Sequence, residues 1–257
     1  MAAERSLIFE KTGNIAKIYF NRPKDYNALN KDMAKRLDAV VTELETSKDI
    51  RAVIITGSGD KAFMSGTDVK ELKERTVLDN VDIISYRHSI FYRLENLGIP
   101  TIAAINGYAY GGGCEISMLC TFRFAAKNAE LGQLEINLGM MPGGGGTQRL
   151  ARLVGKSTAA ELLLTGKTIT ADEALQIGLV NKVFAQNKLM EECEAFAGEI
   201  ANKSQVAVKL ILNALNKGLE TDVYTGLFIE MLSASLCFSS EDCKEGLAAL
   251  LDKKKPS

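Results

Sequence analysis

Residues 101–125 read TIAAINGYAYGGGCEISMLCTFRFA, and this stretch decides the fold class. Thr101–Ile105 is an apolar run of strand length, Gly111–Gly113 a glycine turn, Glu115–Leu119 a short apolar helix and Thr121–Ala125 a second strand. Strand, helix and strand at this spacing make the crossover unit of an α/β domain. Upstream, Leu7–Lys11 and Ile15–Phe20 flank Thr12-Gly13-Asn14 and predict a β-hairpin. Met33, Leu37, Val40, Val41 and Leu44 recur at helical spacing and lead to a strand at Ala52–Ile55. Asp68–Leu97 reads as one long, mostly helical segment. Downstream, Thr170-x-x-Glu173 is a capping box that opens a helix over Ala171–Ile177, closed by Gly178. From Asn187 to Lys253 only helices are evident, with Ser204 and Ser239 expected as caps. Leu227–Phe238, LFIEMLSASLCF, is apolar on most sides and demands burial in the core or against another subunit. The chain therefore divides into an α/β core over 1–200 and a helical extension over 201–257.

The inventory of side chains excludes several chemistries. With 31 Lys+Arg against 32 Asp+Glu the formal net charge is −1, which argues against a nucleic-acid binder or a protein held on anionic membranes. The longest uncharged stretch, Asn96–Cys114, is broken by Gly98, Pro100, Asn106, Gly107 and the glycine run, so no membrane span is expected. The N-terminus lacks the apolar stretch of a signal peptide, and five scattered cysteines fit a reducing compartment; the expected location is the cytoplasm. One histidine, His88, cannot build a zinc site of two or three histidines, and no cysteine pair has zinc-ribbon spacing; no metal is expected. Its helical surroundings, SYRHSIFYRL, suggest a surface or pocket-wall position for His88. Gly57-x-Gly59-x-x-Ala62 imitates a dinucleotide fingerprint, but Phe63-Met64-Ser65-Gly66 leaves no room for the helix that motif requires.

Two carboxylates stand out. Glu115 is the only charge in GYAYGGGCEISMLC, and Glu135 sits between Leu134 and Ile136 in a strand-like or short helical context. Carboxylates in apolar surroundings suit a site where each exchanges a proton. They equally suit a helix N-terminal acid and a surface strand residue. The three glycines before the helix free backbone N–H groups for a closely approaching oxyanion or phosphate, or simply make a tight turn.

INGYAYGGGCEISM, LGQLEINLGMMPGGGGTQRL and KAFMSGTDVKEL, with NRPKDYNALN near the start and EDCKEGLAALLDKKKP at the end, resemble the crotonase (enoyl-CoA hydratase/isomerase) superfamily over essentially the whole chain. The resemblance implies a spiral of β-β-α turns with a C-terminal helical trimerisation region, assembled as a homotrimer or homohexamer. It implies an acyl-CoA substrate and no cofactor, coenzyme A being part of the substrate. The backbone N–H groups of Thr67 and Gly112 match the family's oxyanion hole, and Asp68, Val69 and Lys70 would lie along the bound CoA. Glu115 and Glu135 match the two glutamates of the family's hydratases, which hold one water over the C2–C3 double bond. An isomerase or ring-cleaving hydrolase on a CoA thioester, or a CoA-binding protein without turnover, are the rival expectations. Two departures mark the chain: the usual A-G-A-D reads Ser65-Gly66-Thr67-Asp68, and the proline before the second glutamate is Leu134. Both leave room for a cyclic or dienoyl acyl group. Tyr86, Phe91 and Tyr92 fall where the family builds its acyl pocket, and Lys253–Lys255 within reach of a CoA phosphate.

Overall fold

In the computed structural model, which describes residues 5–254, strands alternate between two sheets. The strands are β1 (Leu7–Thr12), β2 (Ile15–Phe20), β3 (Ala52–Gly57), β4 (Ala62–Met64), β5 (Thr101–Ile105), β6 (Tyr108–Tyr110), β7 (Phe122–Ala126), β8 (Glu130–Gly132), β9 (Thr168–Thr170) and β10 (Lys182–Phe184). The larger sheet has the order β1-β2-β3-β5-β7-β10 and the smaller β4-β6-β8-β9. The hairpin β1–β2 is antiparallel, whereas β2, β3, β5, β7 and β10 run parallel. Each of β3, β5 and β7 is followed at once by a short strand of the other sheet and then by helix. That is the spiral of β-β-α turns.

The helices are α1 (Lys31–Thr46), α2 (Val69–Leu72), α3 (Val77–Glu95), α4 (Gly112–Leu119), α5 (Gly146–Val154), α6 (Lys156–Thr165), α7 (Ala171–Gln176), α8 (Leu189–Ala201), α9 (Gln205–Gly218), α10 (Val223–Phe238) and α11 (Glu241–Leu251). Both faces of the central strands are covered, so they read as unbroken apolar runs. Val53, Ile55, Ala103 and Ile105 join the main core with Met33, Leu37, Val41, Phe91 and Ile116. Their neighbours Ile54, Ile102, Ala104 and Phe124 face the other way, onto Leu189, Cys193 and Ala197 of α8. This alternation is the period of two that strands impose.

Several boundaries move. The expected single helix after Asp68 is two, because the Thr76–Asp79 capping box starts α3 afresh. The cap of α11 is Ser240, whose Oγ accepts from Cys243 N, while Ser239 closes α10 by donating its N–H to Leu236 O. The chain's own core does not cover α10. Only its Ser233 is buried, and Leu227, Phe228, Met231, Leu232 and Leu236 are all exposed. No single helix among the described residues is long and apolar enough to cross a membrane; α10 and α11 together reach that composition but are bent by 69°.

Candidate active site

Pairing between β6 and β8 brings the two acids together. Tyr110 stands opposite Gly132, and Gly111 N donates to Gly132 O at 2.8 Å. Glu115 begins one turn later, its N–H bonded to Gly111 O at 2.9 Å, and Glu135 opens a 3-10 turn, Glu135–Leu138, three residues after Gly132. A twenty-residue gap in the chain is thereby closed by one strand register. Gly111 has φ 48°, and a Cβ there would lie 2.7 Å from Glu135 Oε1; the bend needs glycine for its backbone and for the carboxyl against it.

Glu115 is 4% exposed. Its Oε1 accepts from Gly144 N at 2.7 Å and Gly146 N at 2.8 Å, two amides at the start of α5. The Gly143–Gly146 run is thus a cradle for a carboxylate. Glu135 Oε2 is buried and has no hydrogen-bond partner. Burial raises the pKa of both acids, and Glu135, with Glu115 repelling its charge, rises to about 7. On Glu115 the two amides, Arg149 and His88 pull the other way. Glu135 has only its own backbone amide opposing the rise. Hydrogen bonds to the charged form oppose the rise more on Glu115 than on Glu135, which favours the charge on Glu115 and the proton on Glu135.

The third component comes from the loop after β4. Leu29 N donates to Gly66 O and Asp68 N to Leu29 O, which leaves the amide of Thr67 facing away from Leu29. A Cβ on Gly112 would lie 3.8 Å from Thr67 N, so the Thr67 and Gly112 amides are neighbours. Neither donates to a main-chain acceptor among the described residues, and Gly112 is the first residue of α4, where the helix dipole is positive. Two unpaired N–H groups and two acids thus surround one glycine bend.

The side chains beside Thr67 divide. Asp68 is nearly buried; Arg22 Nη2 reaches its Oδ2 at 2.9 Å and Lys70 N its Oδ1 at 3.0 Å, so its carboxylate anchors the loop. Burial pushes the Asp68 pKa up, but these bonds outweigh it and hold the group below the usual range. Val69 and Lys70 are exposed. Of the three aromatics expected in the pocket, Phe91 is buried beside Gly144. Tyr86 and Tyr92 are not in it: Tyr86 OH donates to Asp38 of α1, and Tyr92 OH accepts from Lys217 of α9. Helical spacing explains this, because the face of α3 toward the site carries Ile84, Arg87, His88 and Phe91. Lys254 pairs with Asp252, and Lys255 lies outside the described residues.

Two contributors, Arg87 and Arg149, escape a reading of the sequence, and a third, His88, is readable there only as a surface or pocket-wall residue. Arg87 Nη1 donates to Thr67 Oγ1 at 2.8 Å. Its Nε and Nη2 are buried without partners, and burial together with Arg75 lowers its pKa to about 10. Arg149 forks onto Glu95 at 2.8 and 2.7 Å and also reaches Gly144 O at 3.2 Å, bracing the cradle. His88, exposed on α3, bonds Gly143 O through Nε2 at 2.6 Å. Beyond that placing of His88, only the glycine run at 143–146 signals any of this in advance.

The enoyl-CoA hydratase/isomerase family model matches residues 10–257. A short-chain-enoyl-CoA hydratase of Clostridium acetobutylicum is 46% identical over 250 residues, covering 97% of this chain and 96% of its own. A crotonyl-CoA hydratase of Syntrophomonas wolfei is 44% identical, covering 98% and 97%. Among solved structures, an enoyl-CoA hydratase of Bacillus anthracis superposes with a TM-score of 0.94 at 37% identity over 98% of both chains. One from Geobacillus kaustophilus reaches 0.96 at 33% identity, over 100% of this chain and 97% of that one. The chain belongs to the enoyl-CoA hydratase/isomerase family, within the crotonase superfamily.

Proposed function

We propose that this member of the enoyl-CoA hydratase/isomerase family adds water reversibly across the C2–C3 double bond of a short-chain enoyl-CoA thioester. The observation that carries the reading is the meeting of the buried Glu115 carboxyl, the half-buried Glu135 carboxyl and two unpaired amides at the Gly111–Gly113 bend. The names of the Clostridium and Syntrophomonas relatives support the short acyl group.

In the reaction, the thioester oxygen lies on the amides of Thr67 and Gly112, which polarise the conjugated double bond and receive the enolate charge as it develops. Such a donor is worth ~3 kcal/mol in the transition state. The Glu115 carboxylate takes a proton from a water held between the acids as the oxygen bonds to C3. The C2–C3 π pair moves into the enolate and returns to C2, which takes the Glu135 proton. One proton enters the protein at Glu115 and one leaves from Glu135, and exchange with solvent restores the starting state. Placement of the water does much of the work, since it removes the entropy of a bimolecular encounter. No cofactor takes part in these steps. Val69 and Lys70 border the CoA, and the apolar faces of α9–α11 are covered by further copies of the chain in a homotrimer or homohexamer.

Turnover of crotonyl-CoA in ¹⁸O-labelled water tests the reaction. The expected product is 3-hydroxybutyryl-CoA carrying the label at C3. A shifted double bond without label means isomerisation, and free CoA means hydrolysis; either overturns the reading.

A further inference from the structure

His88 is the chain's only histidine and is exposed, so packing does not explain its place on α3. Its Nε2 lies 2.6 Å from Gly143 O. A carbonyl oxygen can only accept, which puts the proton on Nε2. The carbonyl of Gly143 and the N–H of Gly144 belong to one planar peptide unit. That N–H donates to Glu115 Oε1 at 2.7 Å. His88 thus holds one end of a rigid peptide whose other end grips the carboxylate.

The contact has two physical effects. A peptide that accepts at its oxygen donates more strongly at its nitrogen, by ~10–30% per bond in a chain. The bond also fixes the rotation of a peptide between two glycines, the residues with the most backbone freedom to lose. We propose that His88 is a positioning residue for hydration: through the Gly143–Gly144 peptide it aims and strengthens the hydrogen bond that keeps Glu115 ionised and oriented. This rests on the reading of Glu115 as the base. Other charged groups face the same peptide or the acid beneath it. Arg149 of α5 reaches Gly144 O and pairs with Glu95 of α3, Arg87 precedes His88 on α3, and Glu135 comes from the 3-10 turn. None of these reaches Gly143 O, so His88 is the donor to that end of the peptide among the described residues.

The test compares full-length His88→Leu and His88→Gln with the unaltered enzyme, measuring kcat and KM for crotonyl-CoA across pH, with Glu115→Gln alongside. His88→Leu is expected to lower kcat about tenfold with KM within about twofold. The acid limb of kcat/KM should move to higher pH, because the Gly144 hydrogen bond that stabilises ionised Glu115 is weakened. His88→Gln, which keeps a donor amide, should recover most of kcat. Unaltered kcat and pH profile in His88→Leu overturn the proposal. So does equal impairment of both variants with raised KM, which would mark His88 as a pocket wall. Unimpaired Glu115→Gln overturns the role of Glu115 itself, a failure distinguishable from either.

Discussion

Thr67 Oγ1 accepts the only side-chain hydrogen bond that Arg87 makes among the described residues, from Nη1 at 2.8 Å. The residue whose amide faces Gly112 therefore also restrains a buried guanidinium with two unpartnered nitrogens. Removing the neutral partner of a buried charged group leaves that charge unsatisfied, which costs more than removing both. Thr67→Ala is expected to lower stability by about 1–3 kcal/mol. It should cost less in turnover, since the Thr67 amide survives. Adding Arg87→Leu should recover most of the stability. Thermal midpoints of the two single variants and the double variant give the coupling; strictly additive losses would mean the pair is not coupled.

The raised pKa of Glu135 sets two pH dependences. Burial, then repulsion by Glu115, lifts this carboxyl from 4.5 to about 7. Between those values the folded protein binds a proton that the unfolded chain has released, so this group's contribution to stability falls as pH rises through that window. Glu135→Gln, with no charge to bury, should be more stable than the parent at pH 8 and show little difference at pH 4.5. The proposed hydration needs Glu135 protonated, so kcat/KM for crotonyl-CoA should decline as pH rises past about 7. Denaturation midpoints and a pH–rate profile check both signs.

Gly112→Pro isolates the amide donor. Proline is tolerated at the first position of a helix, where its missing N–H has no intrahelical acceptor. A Cβ there meets only ordinary contacts, the nearest atom being 3.6 Å away. The variant should keep the helical content of the parent by circular dichroism. Its kcat should fall by about a hundredfold or more, the usual loss for one oxyanion donor. Normal turnover in a folded protein would remove Gly112 from the oxyanion hole.

The apolar face of the C-terminal helices calls for a partner. Leu227, Phe228, Met231 and Leu236 of α10 are more than half exposed in the single chain. Removing residues 221–257, or placing Asp at Phe228, should convert the proposed oligomer of three or six copies into monomer or aggregate. Light scattering coupled to size exclusion reads the mass directly.

How far the sequence disclosed this arrangement follows from the physics of each part. Ile54, Ile102 and Phe124 announce strands because they must be buried on both faces, and Thr170–Glu173 announces a helix because capping is local. Strands of three residues, such as β4, β6 and β8, carry too little pattern to be read, although their pairing is what brings Glu135 to Gly111. Glu115 and Glu135 are conspicuous as charges in apolar runs. The amides of Gly144 and Gly146, the Arg87–Thr67 bond and the His88–Gly143 contact are not, because each joins residues twenty or more positions apart. Tyr86 and Tyr92 mislead because aromatic character says nothing about which face of α3 a residue occupies.

The proposed mechanism rests on the two acids, and kcat for crotonyl-CoA hydration in Glu115→Gln and Glu135→Gln, measured beside affinity for acetyl-CoA, tests them most directly. Loss of a general acid or base should cut kcat by roughly 10²–10⁴ while leaving affinity within a few-fold. If either amide variant turns over crotonyl-CoA within about tenfold of the parent, the shared-water mechanism is wrong.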